Sequence, residues 1–261
     1  MLSPTFEFFE VIAEELCSDP LRVITSADLQ INEDQAFLFD ELKTETRTAT
    51  TEQAMQAAVV LLDAHFKGKG SKLPFTYDPE TGLFEAIDLP YLIFIKEMSN
   101  IRSIGKRSRE FELGVLDKLK SRVTGSLHRV GHPRDRMPRQ PEFNAYLKTL
   151  GFKGNVLLGQ EKDGGLDILW ILPIGTKPHR PIVSVQCKNG AYDIGAADVS
   201  IGAGSRSLAL HGGLQATVHV PCVLFNDYLY PEVVTDKPMN FVPLGLTDLS
   251  PMVNLLSSEA I

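Results

Sequence analysis

Cysteine is scarce in this 261-residue chain, and Cys17, Cys187 and Cys222 stand far apart and odd in number. That pattern suits neither a disulfide framework nor a CxxC zinc site, so all three read as buried thiols. Also missing is any run of about 18 consecutive apolar residues, the minimum for a membrane-crossing helix. The start, MLSPTFEFFEVIAEELCSDP, lacks the basic region of a secretory signal. A soluble, cytoplasmic protein without a membrane partner is expected. No HExxH, P-loop or GxSxG motif occurs, which leaves zinc-peptidase, nucleotide-hydrolase and serine-hydrolase chemistry without local support. His128 and His132 are four apart, but Gly131 and Pro133 oppose the helix that such a metal pair needs.

An overall positive charge is missing too. The formal net charge is -7, against the basic footprint usual in nucleic-acid binders. The distribution is uneven, however. Residues 1–100 carry 7 Lys/Arg against 18 Asp/Glu, whereas residues 101–140 carry 11 against 4. A basic stretch of this kind suits a solvated helix face as well as a polyanion surface. Its place just before the polar residues discussed below favours the second.

What is present is enough apolar residue, 43%, to bury one large core or two modest ones. Ser3-Pro4 followed by Phe6, Phe8, Phe9, Val11, Ile12 and Leu16 predicts a capped amphipathic helix ending near Asp19-Pro20. Thr50 and Gln53 form a capping-box pattern ahead of AMQAAVVLLDAHF, a second helix closed near Gly68 and Gly70. The segment LPYLIFIKEM fits a strand or a buried helix equally, and residues 27–49 and 67–90 have no clear period. RSREFELGVLDKLKSR predicts a helix with an inward stripe of Phe111, Val115, Leu116, Leu119 and Val123. A Pro- and Arg-rich loop and a short helix, PEFNAYLKTL, follow. NVLLG, LDILWIL and PIVSVQC read as consecutive strands, residues 194–211 as a helix and TVHVPCVLF as a further strand. This order indicates an α/β fold with a mixed sheet flanked by helices over about residues 105–261, preceded by a mostly helical, acidic region over 1–104.

Alternation along PIVSVQCKNG puts Gln186 and Lys188 on one face of a strand and Cys187 on the other. Asp167 opens the neighbouring apolar strand behind Gly164-Gly165, which permit close approach of a phosphate or metal to the backbone. A carboxylate, an amide oxygen and an ammonium would then meet at adjacent strand ends. Phosphodiester hydrolysis uses such a set: oxygen ligands hold a hard cation, and a lysine orients water and offsets phosphate charge. One carboxylate is thin for a divalent ion, and Glu112, spaced with Val115, Leu116 and Leu119, emerges on or beside the apolar stripe. Glu110 is its rival, and Glu161 and Asp163 lie near Asp167 in a loop. Each position also has a plain structural reading: Asp167 as a turn residue, Gln186 as a satisfied core amide, Lys188 as a strand end.

REFELGVLDKL, LKTLGFKGNV, DGGLDILW and IVSVQCKNG, in this order over roughly residues 106–225, resemble the PD-(D/E)xK nuclease superfamily, and within it the Mrr-type branch with Gln in place of the usual acid. The resemblance implies a restriction-endonuclease-like core, Mg2+ as cofactor and a catalytic set of Asp167, Gln186, Lys188 and Glu112. It also implies that Asp167, Gln186, the Cys187 carbonyl and Glu112 hold the metal. A compact chain with one such core resembles a type II restriction endonuclease, cutting double-stranded DNA site-specifically as a homodimer. Arg129, Arg134, Arg136, Arg139, Lys162, Asn189 and Arg206 would then face DNA, as arginine forks to phosphate or guanine. A modification-dependent Mrr-like nuclease, a junction-resolving nuclease and a non-catalytic DNA-binding protein of the same fold are the competing expectations.

Overall fold

A computed structural model of the chain describes residues 2–30, 35–103, 108–120, 123–129, 145, 148, 167–174, 180–189, 219–228 and 241–249. The chain divides into two compact units, Met1–Ser103 and Ile104–Ile261. Helices and sheets occur in both, so the fold is mixed α/β. Among the described residues no helix is long and apolar enough to cross a membrane.

In the first unit, α1 (Pro4–Ser18) starts where Ser3, in extended geometry, offers its carbonyl to the N–H groups of Phe6 and Glu7. It stops at Asp19, one residue before a proline. Phe6, Phe8, Phe9, Ile12 and Leu16 are buried, and the helix packs on α3 (Ala36–Thr46), α4 (Thr51–Gly68) and α5 (Leu89–Ser103). The α4 cap is the reciprocal box expected: the Gln53 N–H donates to Thr50 Oγ1 at 3.2 Å, and the Thr50 N–H to Gln53 Oε1 at 3.4 Å. Thr50→Ala should cost about 1 kcal/mol, read as a lower urea midpoint with an unchanged slope.

The ambiguous LPYLIFIKEM is helical. Asp88 accepts the Tyr91 N–H at 3.0 Å as an N-terminal cap, and Tyr91, Leu92, Phe94, Ile95 and Met98 fall on one buried stripe. β1 (Val23–Thr25) and α2 (Ser26–Gln30) lead into the first stretch without a clear period, which holds α3, and the second holds β2 (Phe75–Asp78) and β3 (Leu83–Ala86). The strands form an antiparallel sheet in the order β1-β3-β2. Asp78 makes the β2–β3 turn by accepting the Glu80 N–H and the Thr81 hydroxyl, and Gly82 supplies a φ of 68° there. Phe9, Phe66, Phe75, Phe84 and Tyr91 knit helices and sheet, with ring centroids 5.5 to 6.1 Å apart.

In the second unit, α6 (Ser108–Lys120) buries Phe111, Val115, Leu116 and Leu119. Val123 lies past its end and is half-buried, although its N–H still bonds the Leu119 carbonyl. A five-stranded sheet follows in the order β4-β5-β6-β7-β8: Ser126–Arg129, Ile168–Ile171, Ile182–Lys188, His219–Phe225 and Val242–Leu244. The first three run antiparallel, and β7 and β8 continue parallel to β6. Every residue of β6 from Ile182 to Cys187 is buried, the polar Ser184 and Gln186 included, as befits a strand at the centre of the sheet.

β5, the strand within LDILWIL, pairs with β4 on one side and β6 on the other, and β4 forms in a segment to which the sequence assigns no element; NVLLG lies outside the described residues, as do residues 194–211 and most of PEFNAYLKTL. The turn into β4 needs Gly125, with φ 104°, since an added Cβ would sit 2.4 Å from the Ile171 carbonyl oxygen. Trp170 closes the same corner by donating its indole N–H to the Thr124 carbonyl at 2.9 Å.

Candidate active site

Three strands finish or begin at one end of this sheet. Arg129 is the last residue of β4, Asp167 immediately precedes β5, and Lys188 is the last of β6. The antiparallel register brings them together, with Arg129 opposite Ile168 and Ile168 opposite Val185. Alternation along β6 then puts Gln186 and Lys188 on one face, and Val185 and Cys187 on the other.

Asp167 is buried and clasps β6. Its backbone N–H donates to the Val185 carbonyl at 3.0 Å, one residue off the register of the strand, and its Oδ2 accepts the Cys187 N–H at 2.7 Å. The carboxylate therefore takes a ladder position that a backbone carbonyl would fill in a regular pair. This fixes it beside the peptide that links Gln186 to Lys188. It is more than a turn residue, and its side chain is held by the strand that carries the other two groups.

Glu112 comes to the site from α6, which packs on β4 and β6. Its side chain is 4% exposed, whereas Glu110 lies on the solvent side of the helix. Between the two rivals, only Glu112 points inward. Its Oε2 accepts from Arg129 Nη2 at 2.8 Å and from Nε at 3.2 Å. Arg129 was expected on DNA; its guanidinium is instead turned inward, 14% exposed. The reason is charge: a carboxylate carried into a packed face needs a partner, and a strand-end arginine reaches it.

The Cys187 thiol reports how these charges gather. Burial pushes it well above the usual thiol range, Asp167 and Glu112 raise it further, and Arg129 and Lys188 pull the other way. Two acids and two cations thus surround one buried position. Cys222, buried on the next strand, is pushed up to about 12 by burial alone. Both thiols are packing residues rather than nucleophiles. His128 sits on β4, half-buried, and burial together with Lys120 lowers its pKa. His132 lies outside the described residues, as do Arg134, Arg136, Arg139, Glu161, Lys162, Asp163, Gly164, Gly165 and Arg206.

Lys188 and Asn189 are half-buried at the end of β6. Asn226, just past β7, is a further residue at this sheet end, with no motif in the sequence to mark it. Its N–H donates to the Lys188 carbonyl at 3.0 Å, and its side-chain amide donates to Asn189 Oδ1. Asn226 thereby ties the ends of β6 and β7 together and fixes the backbone that carries Lys188. Its local cue is its place directly after the apolar run CVLF, as Lys188 follows IVSVQC.

The oxygen donors here are the Asp167 and Glu112 carboxylates, the Gln186 amide and the Cys187 carbonyl. That set suits a hard divalent cation. Among the described residues no three His, Cys, Asp or Glu side chains gather closely enough to form a ready metal cage. An ion at this sheet end would accordingly rest on few charges and draw its remaining ligands from neutral oxygens, water or phosphate, the pattern Mg2+ favours.

No family model, curated protein or solved structure matches the chain.

Proposed function

We propose that the second unit is the catalytic core of a Mg2+-dependent DNA endonuclease of the PD-(D/E)xK type. The observation that carries this reading is the 2.7 Å hydrogen bond from the Cys187 N–H to Asp167, which fixes the acid that leads into β5 at the backbone of the β6 residue flanked in sequence by Gln186 and Lys188. The strand order adds support, with a helix, an antiparallel meander of three strands and a parallel fourth. Two buried acids and a half-buried lysine collected at one sheet end are the kind of charged cluster that marks functional sites more often than plain cores.

In this reading a bound divalent cation offsets negative charge on the scissile phosphate. Asp167 and Glu112 would hold it with their carboxylates, and Gln186 and the Cys187 carbonyl would supply neutral oxygens. Lys188 orients the attacking water and compensates the charge that builds on phosphorus. Water oxygen bonds to phosphorus as its proton passes to bulk water, the ester P–O bond breaks, and the departing oxygen takes a proton from bulk water. Double-stranded DNA is the substrate and a homodimer the working form, with one site per strand; the first unit serves recognition or dimerisation.

Incubating the protein with unmethylated, methylated and branched DNA plus Mg2+ tests this. Discrete fragments from unmethylated plasmid support a site-specific restriction enzyme, fragments from methylated DNA alone support the modification-dependent form, and cutting confined to branched DNA supports a junction nuclease. No cutting of any substrate removes the enzymatic reading. Lys188→Met should slow cleavage by about two orders of magnitude, the usual loss for one group that stabilises developing charge, with little change in melting temperature.

A further inference from the structure

We infer that Arg129 is a resident counter-cation on Glu112, which a divalent ion must displace or share before the site is loaded. This rests on the reading that Glu112 belongs to the metal site, and adds to it a built-in competitor for the metal.

The geometry is specific. Arg129 ends β4 and Glu112 lies on α6, 17 positions earlier, yet two guanidinium donors converge on one oxygen, Oε2, at 2.8 and 3.2 Å. Both side chains are largely shielded from water, at 14% and 4% exposure. A pair so shielded is screened little by salt, so it persists in solution. Glu112 is thus neutralised inside the protein itself, without any ion. A metal that needs Glu112 Oε2 meets a protein in which that oxygen is already engaged, and its apparent affinity falls by the fraction of molecules with the pair open.

Chelator-stripped full-length protein would be titrated with Mn2+ by calorimetry, as wild type, Arg129→Met, Arg129→Lys and the double variant Glu112→Gln with Arg129→Met. Arg129→Met should bind Mn2+ about tenfold more tightly than wild type, as for a competing state that holds about nine-tenths of the molecules. The double variant should lose this gain. Arg129→Lys keeps the charge but not the planar fork, and should fall between wild type and Arg129→Met; it carries the test if Arg129→Met does not fold.

Unchanged or weaker Mn2+ binding in Arg129→Met, or in Arg129→Lys where only that variant folds, would overturn the inference while leaving the metal site standing. A gain that survives in the double variant would overturn it too, because the effect would not run through Glu112. Absence of Mn2+ binding in every protein, wild type included, would instead remove the metal site on which the inference stands.

Discussion

Asp167→Asn should reduce Mg2+-dependent cleavage about a thousandfold, or ~4 kcal/mol of transition-state stabilisation, while the protein stays folded. Asparagine has nearly the same shape and keeps an oxygen that accepts the Cys187 N–H, so the clasp between β5 and β6 survives. What it loses is the negative charge that a hard cation needs. Asp167→Ala should lose as much activity and, in addition, about 1–3 kcal/mol of stability, because the Cys187 N–H is left buried without its acceptor. Comparing the two variants by cleavage rate and by thermal unfolding separates the chemical role from the structural one. Should Asp167→Asn cut DNA at the wild-type rate, Asp167 is a strand clasp and nothing more.

Glu112→Ala should strongly destabilise the second unit. It leaves the Arg129 guanidinium shielded from water and stripped of its carboxylate, a loss of about 3–5 kcal/mol for a buried pair. In a unit of this size that lowers the unfolding midpoint by roughly 10 °C. Replacing both partners with apolar residues of similar volume should recover much of the loss, since neither charge is then stranded. Calorimetry of the single and double variants reads this directly. A Glu112→Ala midpoint within about 2 °C of wild type would mean that the arginine finds water or another acid at little cost.

Long elements were legible in the sequence because their signals are local. The ends of α1 follow from Ser3-Pro4 and Asp19-Pro20, the start of α4 from Thr50 and Gln53, and the inward stripe of α6 from its spacing. β6 was legible as a run rich in β-branched residues, Ile182, Val183 and Val185, closed by Lys188. Short strands were not. β1, β4 and β8 have three or four residues, too few to display a period of two, and they are strands only because a neighbour offers its ladder. Arg129 belongs with them: in the sequence it is one arginine in a basic stretch, and its inward turn depends on an acid delivered by α6.

Residue spacing along the chain settles which segments coil, where they cap and which strand carries Gln186 and Lys188, because neighbours in sequence are neighbours in space within one element. It does not settle which of Glu110 and Glu112 meets the sheet, since that depends on the rotation of α6 about its axis when it packs. Nor does it place Asp167 against the Cys187 N–H or Arg129 against Glu112. Those contacts join residues 20 and 17 positions apart, and only the pairing of β4, β5 and β6 brings their backbones close enough for charge and hydrogen bonding to act.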